Sequence, residues 1–177
     1  MRRLKALCFL VSVASASATA MSSWPSGSAP PPTGCTDISA EPVQYTINYS
    51  AAIQGLFDNF ATTGGTAGCI DCHVAPDDGP AGNLSLVGGY SWGQLWNQPR
   101  ALESKLIYVV PNHPEQSLLF QKINCDFPSV GARMPLTGGP LSAYQQALIY
   151  DWVAAGAPVG TTDGVFRDTF DLRGFFQ

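Results

Sequence analysis

Cys69, Cys72 and His73 are the residues of this chain best arranged to do chemistry, in the run Cys69-Ile70-Asp71-Cys72-His73. The chain has five cysteines and two histidines in 177 residues. At that composition a Cys-x-x-Cys-His run arises by chance about two times in a thousand chains. Two thiols at this spacing reach the two vinyl groups of one porphyrin as thioethers, and the adjacent imidazole lies under the iron as its proximal ligand. The expectation is one covalent haem c, with Cys69 and Cys72 as thioether positions and His73 on the iron. The same residue types serve two other chemistries. A thiol–disulfide pair wants a βαβ setting that is missing here, and a zinc site with His73 needs at least one further well-spaced ligand.

A haem iron bound to one histidine has a second axial position to fill. Met134 lies in Gly131-Ala132-Arg133-Met134-Pro135, a loop expected between two helices, and the adjacent proline stiffens that loop and lowers the entropy cost of ligation. Met134 is therefore the expected distal ligand, ahead of its commoner role as a core gap-filler. His113, between Asn112 and Pro114, is the competitor, and Met21 is the remaining methionine beyond the leader. The choice sets the chemistry, because His/Met ligation raises the haem potential.

These side chains need elements to hold them. Ile53, Leu56, Phe57 and Phe60 fall at i, i+3, i+4 and i+7, one helical face, and Thr63-Gly64-Gly65 breaks that helix just before the motif. The stretch from Val74 to Asn112 is rich in turns, with Leu84, Leu86, Tyr90, Trp92, Leu95 and Trp96 as apolar cover. Pro114 starts another helix through Phe120. Ser142 and Gln145 form a capping box for a last helix that Gly156 stops. With no alternating strand run of useful length, the reading is an all-α fold, a small helical domain wrapped around one covalent haem.

The ends place the domain. Arg2, Arg3 and Lys5, the apolar run from Ala6 to Ala16 and Ala18-Thr19-Ala20 read as a cleaved signal peptide over residues 1–20. The run is too short to span a bilayer, and no transmembrane segment is expected in the mature chain. Residues 21–44 read as a Pro/Ser/Gly-rich linker, 45–158 as the domain and 159–177 as an aromatic tail that packs back on it or serves docking. Export leads to the periplasm or outside the cell, where haem attachment and disulfides are both permitted. Cys35 and Cys125 are left over once haem takes two thiols, and they are expected to pair, the alternative being two separate thiols. The leader carries three of the nine basic residues, leaving six against thirteen acidic ones. That acidity argues against nucleic acid and for redox partners with basic or weakly charged docking surfaces.

Further segments accompany the motif: Val109-Val110-Pro111-Asn112-His113-Pro114-Glu115-Gln116-Ser117-Leu118-Leu119, Lys122-Ile123, Arg133-Met134-Pro135, Gly138-Gly139-Pro140-Leu141-Ser142 and Asp151-Trp152-Val153-Ala154-Ala155-Gly156-Ala157-Pro158. In this order, over about residues 45–158, the chain resembles the bacterial class I c-type cytochrome domain, monohaem and exported. The resemblance implies an all-α cytochrome c fold, Cys69 and Cys72 as thioether positions, His73 as proximal and Met134 as distal ligand. It also implies that the first and last helices cross, through Ile53/Phe57 and Leu148/Trp152. His113 departs from the pattern, standing where the family has a glycine.

The expected function is one-electron transfer through a six-coordinate iron, which offers no open site for substrate; the chain is not expected to be an enzyme. The alternative is a five-coordinate haem enzyme or sensor, peroxidase-like or gas-binding, with an open distal position.

Overall fold

The computed structural model describes residues 29–59, 68–100 and 103–162. The expected signal peptide, Met21, the expected Thr63-Gly64-Gly65 break and the tail from 163 lie outside the described residues.

Asn48 starts the first helical segment: its side-chain oxygen accepts the Ala51 N–H at 3.0 Å, satisfying a donor that the helix leaves free. A single π-helical turn, Tyr49–Ile53, runs directly into α1, Gln54–Asp58. Of the expected face, Ile53 and Phe57 are buried, at 0% and 3% exposure, Leu56 is partly buried and Phe60 lies outside the described residues. α2, Cys69–Cys72, packs on α1 and is a single turn. α3, Ser91–Leu95, leads into an antiparallel ribbon of β2, Pro99–Arg100, and β3, Glu103–Ile107. The helix expected from Pro114 is broken at Ser117 into a 3₁₀ turn, Pro114–Gln116, and α4, Leu118–Asn124.

The last helix, α5, Ala143–Ala154, is the longest. Ser142 Oγ accepts the Gln145 N–H at 3.2 Å and Gln145 Oε1 accepts the Ser142 N–H at 2.9 Å, the reciprocal box expected there. Gly156 then takes φ +90°, a left-handed conformation that glycine adopts without strain and that stops the helix. Trp152, fully buried, stacks obliquely on Tyr49 with ring centroids 5.2 Å apart, and Phe120 meets Tyr150 edge-on at the same distance. The π-turn, α4 and the 3₁₀ turn all pack on α5, so the core gathers around this helix.

The expected all-α cytochrome c architecture is overturned. Among the described residues, five short α-helices stand beside two two-stranded antiparallel sheets, a mixed helix and strand fold. Two physical causes account for the strands. Ile107, which ends β3, and Tyr108, Val109 and Val110 directly after it are β-branched or aromatic, which suits extended backbone better than a helix. The other sheet pairs β1, Thr33–Cys35, with β4, Cys125–Phe127, and Cys35 sits directly opposite Cys125. These two cysteines form a disulfide. The stretch read as linker thus carries β1, and Ile38 beyond it is buried at 6%. Asp151, on α5, accepts the Gln44 N–H at 2.7 Å and ties this stretch to the core.

Candidate functional site

α2 begins at Gly68, whose N–H donates to the Asp71 carboxylate at 2.9 Å, and it ends as the His73 N–H bonds the Cys69 carbonyl at 2.9 Å. One closed turn places Cys69 and Cys72 at i and i+3, on the same helical face. His73 follows at the end of that turn. Cys69 is half-buried against the core and Cys72 is exposed. Burial pushes the Cys69 thiol up to about 11, with the nearby carboxylates of Asp58 and Asp71 acting in the same direction.

This asymmetry has a direct chemical consequence. In the haem-free chain at pH 8, about one Cys69 side chain in a thousand is the reactive thiolate. An iodoacetamide pulse followed by peptide mass spectrometry is expected to label Cys72 well before Cys69. The Cys69 rate should climb as pH rises toward 11, the direction set by a thiol raised on folding. Equal labelling of the two at pH 8 would count against this burial.

His73 is pinned twice to one segment. Its ring Nδ1 lies 2.9 Å from the Leu84 carbonyl, and its own carbonyl accepts the Leu86 N–H at 2.9 Å. A carbonyl only accepts, so Nδ1 carries the hydrogen. In the neutral ring the lone pair then sits on Nε2, the atom that a proximal ligand offers to a metal. Leu84 and Leu86 are buried in the core, so the segment gripping the imidazole is itself anchored.

Met134 sits elsewhere, on the loop that follows β4. Its N–H donates to the Lys122 carbonyl at 2.6 Å, at the C-terminal end of α4. Lys122 Nζ reaches back to the Ala132 carbonyl at 3.0 Å. Gly131, at φ +62°, turns the chain beside it, where a Cβ would stand 2.8 Å from that ammonium. Arg133 is the clasp: Nη1 meets Asp126 Oδ1 at 2.6 Å, Nη2 meets Thr36 Oγ1 at 3.0 Å, and both Nε and Nη2 bond the Ile123 carbonyl. The Met134 loop is thereby fastened to β4 and to Thr36, the residue directly after β1.

His113 is exposed at the surface with its ring 3.7 Å from the Glu115 carboxylate. Cys69, Cys72 and His73 are thus brought onto one turn, while Met134 and His113 stand on separate elements. Two residues that hold the site had no such role in the sequence: Leu84, expected only as apolar cover, acts through its backbone carbonyl, and Arg133 stood beside Met134 with no role of its own. For the zinc alternative, the described residues contain no group of three or more His, Cys, Asp and Glu side chains able to hold a metal ion. Among those residues no helix is long and apolar enough to cross a membrane. No protein-family model, curated protein or solved structure matches this chain.

Proposed function

We propose that this chain is an exported monohaem electron carrier, with one haem held covalently by Cys69 and Cys72 and ligated by His73 and Met134. The observation that carries the reading is the His73 ring, whose Nδ1–H is committed to the Leu84 carbonyl and whose Nε2 is left to coordinate. The group supplies a one-electron ferric/ferrous couple when bound. Cys69 and Cys72 would hold the group as thioethers, each thiol adding its S–H across one vinyl double bond, sulfur to one carbon and hydrogen to the other, with no external oxidant or reductant. The half-buried Cys69 anchors the inner edge of that attachment and the exposed Cys72 its accessible edge. His73 and Met134, the latter on its fastened loop, would be the two residues to ligate the iron. With both residues on the iron the chain would offer no open metal position to a substrate, and its role would be to accept an electron from one redox protein and pass it to another. Acidic charge directs it to partners with basic or weakly charged docking faces rather than to nucleic acid. Cys35 and Cys125, joined as a disulfide, fit a periplasmic or secreted location.

The test is a denaturing gel of the full chain, produced with haem-maturation machinery and stained for haem peroxidase activity. The wild type is expected to stain, and Cys69→Ser/Cys72→Ser to lose the stain altogether. An unstained wild-type band sinks the reading. Rapid carbon monoxide binding by the native ferrous protein would point to the five-coordinate enzyme or sensor instead.

A further inference from the structure

Three polar side chains are buried behind the His73 segment, and their hydrogen bonds have only one consistent direction. Gln54, 7% exposed, uses both amide hydrogens: Nε2 donates to the Leu86 carbonyl at 2.9 Å and to Asp58 Oδ1 at 2.7 Å. Both partners can only accept, which fixes which end of the amide faces them. Gln54 Oε1 then accepts from Ser91 Oγ at 2.5 Å. The Ser91 hydroxyl has one hydrogen, already given, so Tyr49 must donate to Ser91 Oγ across their 2.7 Å contact. Tyr49 is fit for this, since burial pushes its hydroxyl up to about 12 and keeps it protonated. From the other side, Gln94 Oε1 accepts the Ser85 N–H at 2.8 Å.

The chain Tyr49→Ser91→Gln54→Leu86 and the Gln94–Ser85 bond therefore clamp the segment Leu84–Leu86 at its two ends, the Leu86–Val87 and the Leu84–Ser85 peptides. That is the segment that grips the imidazole through Leu84 and the His73 backbone through Leu86. Burying an amide and two hydroxyls next to Ile53 and Phe57 is costly unless every group is paired, and an apolar residue would pack there without that demand. The arrangement makes sense as a device for holding a carbonyl in place.

We propose that Gln54 is a positioning residue for His73, holding the Leu84–Leu86 segment so that the ring keeps its Nδ1–H on the Leu84 carbonyl and presents Nε2. As a statement about haem tuning this rests on the haem reading above; as a statement about the ring it stands on the hydrogen bonds alone. A hydrogen bond from the far ring nitrogen makes the ligating nitrogen more basic and favours ferric iron. Loosening it should raise the midpoint potential.

The haem stain decides which measurement applies. If the purified chain carries haem, Gln54→Met is expected to raise the midpoint potential by the equivalent of a three- to tenfold change in the ferric/ferrous ratio, about 30–60 mV for one electron. If it carries none, nitrogen-15 shifts of His73 in the same protein are expected to show mainly the Nδ1–H tautomer. Gln54→Met should then lower the Nδ1–H to Nε2–H ratio by about three- to tenfold, the worth of one hydrogen bond. Gln94→Met, on a half-buried side chain, moves the same readout in the same direction and decides the matter should Gln54→Met not fold. A folded variant with potential or tautomer ratio unchanged overturns the proposal, as does a haem-free wild-type ring dominated by Nε2–H. A colourless wild type sinks the cofactor reading alone.

Discussion

Replacing Met134 with alanine is expected to abolish the far-red charge-transfer band that marks thioether ligation of ferric haem. It should also lower the midpoint potential by about 0.1 V or more, within the roughly 0.8 V span that axial ligands command. The sign follows from the ligand: a soft, neutral sulfur stabilises ferrous iron, and losing it to water or to no ligand removes that preference. The fold should survive. Met134 is half-buried, and what fastens its loop does not use the thioether: the Met134 backbone N–H, the Arg133 guanidinium and the Lys122 ammonium make those bonds. Loss of the band with an unchanged unfolding midpoint therefore isolates ligation from stability. Survival of the band in the variant would move the distal assignment away from Met134. His113→Ala is expected to leave band and potential alone, because that ring sits at the surface beside Glu115.

What could be read from the amino-acid sequence follows the range over which each feature is encoded. α5 was legible because its start, apolar content and stop all lie within fifteen consecutive residues, from Ser142 to Gly156. The Cys69, Cys72 and His73 motif was legible in its spacing, while the single helical turn that puts the two thiols on one face was not read. The first helix was legible only in its apolar face. Asn48 captures the chain one turn early, and the segment begins as a π-turn that no period of 3.6 describes. The β1–β4 sheet left no strand pattern, only the expected pairing of Cys35 with Cys125. Strands of three residues carry no alternation, and what pairs them is the disulfide and Arg133, which bonds Thr36 and Asp126 from opposite ends of the sequence. The ribbon after α3 left little signal, because Glu103, Ser104 and Lys105 open β3 without strand preference and the β-branched Ile107 comes only at its end. The grip on His73 lay beyond reach for a different reason: the group that orients the ring is a main-chain carbonyl.

The disulfide leads to the second large effect. Cys35→Ala/Cys125→Ala is expected to destabilise the chain by about 3–5 kcal/mol, measured as the shift in denaturant midpoint at constant slope. The loop it closes spans a sequence separation of 90 residues, and releasing a loop of that size restores entropy to the unfolded chain equivalent to about 4–5 kcal/mol in the chain-entropy account. Cys35 is exposed, so a reductant should produce the same loss without mutation. A second consequence is specific to this architecture. Thr36 and Asp126, the immediate neighbours of the two cysteines, are the side chains that hold Arg133, and Asn124 Nδ2 further bonds the Thr36 carbonyl at 2.8 Å and Gln146 Oε1 at 2.9 Å. An exposed ion pair alone contributes little, about 0–1 kcal/mol. The guanidinium therefore depends on the sheet staying closed more than on its charge partner. Without the disulfide, the Met134 loop should open at a lower denaturant concentration than the helical core, so the far-red band fades before far-ultraviolet dichroism does. In the oxidised wild type the two transitions should coincide. Coincident transitions in the variant as well would mean that the disulfide acts through global stability alone, with Arg133 holding the ligand loop unaided.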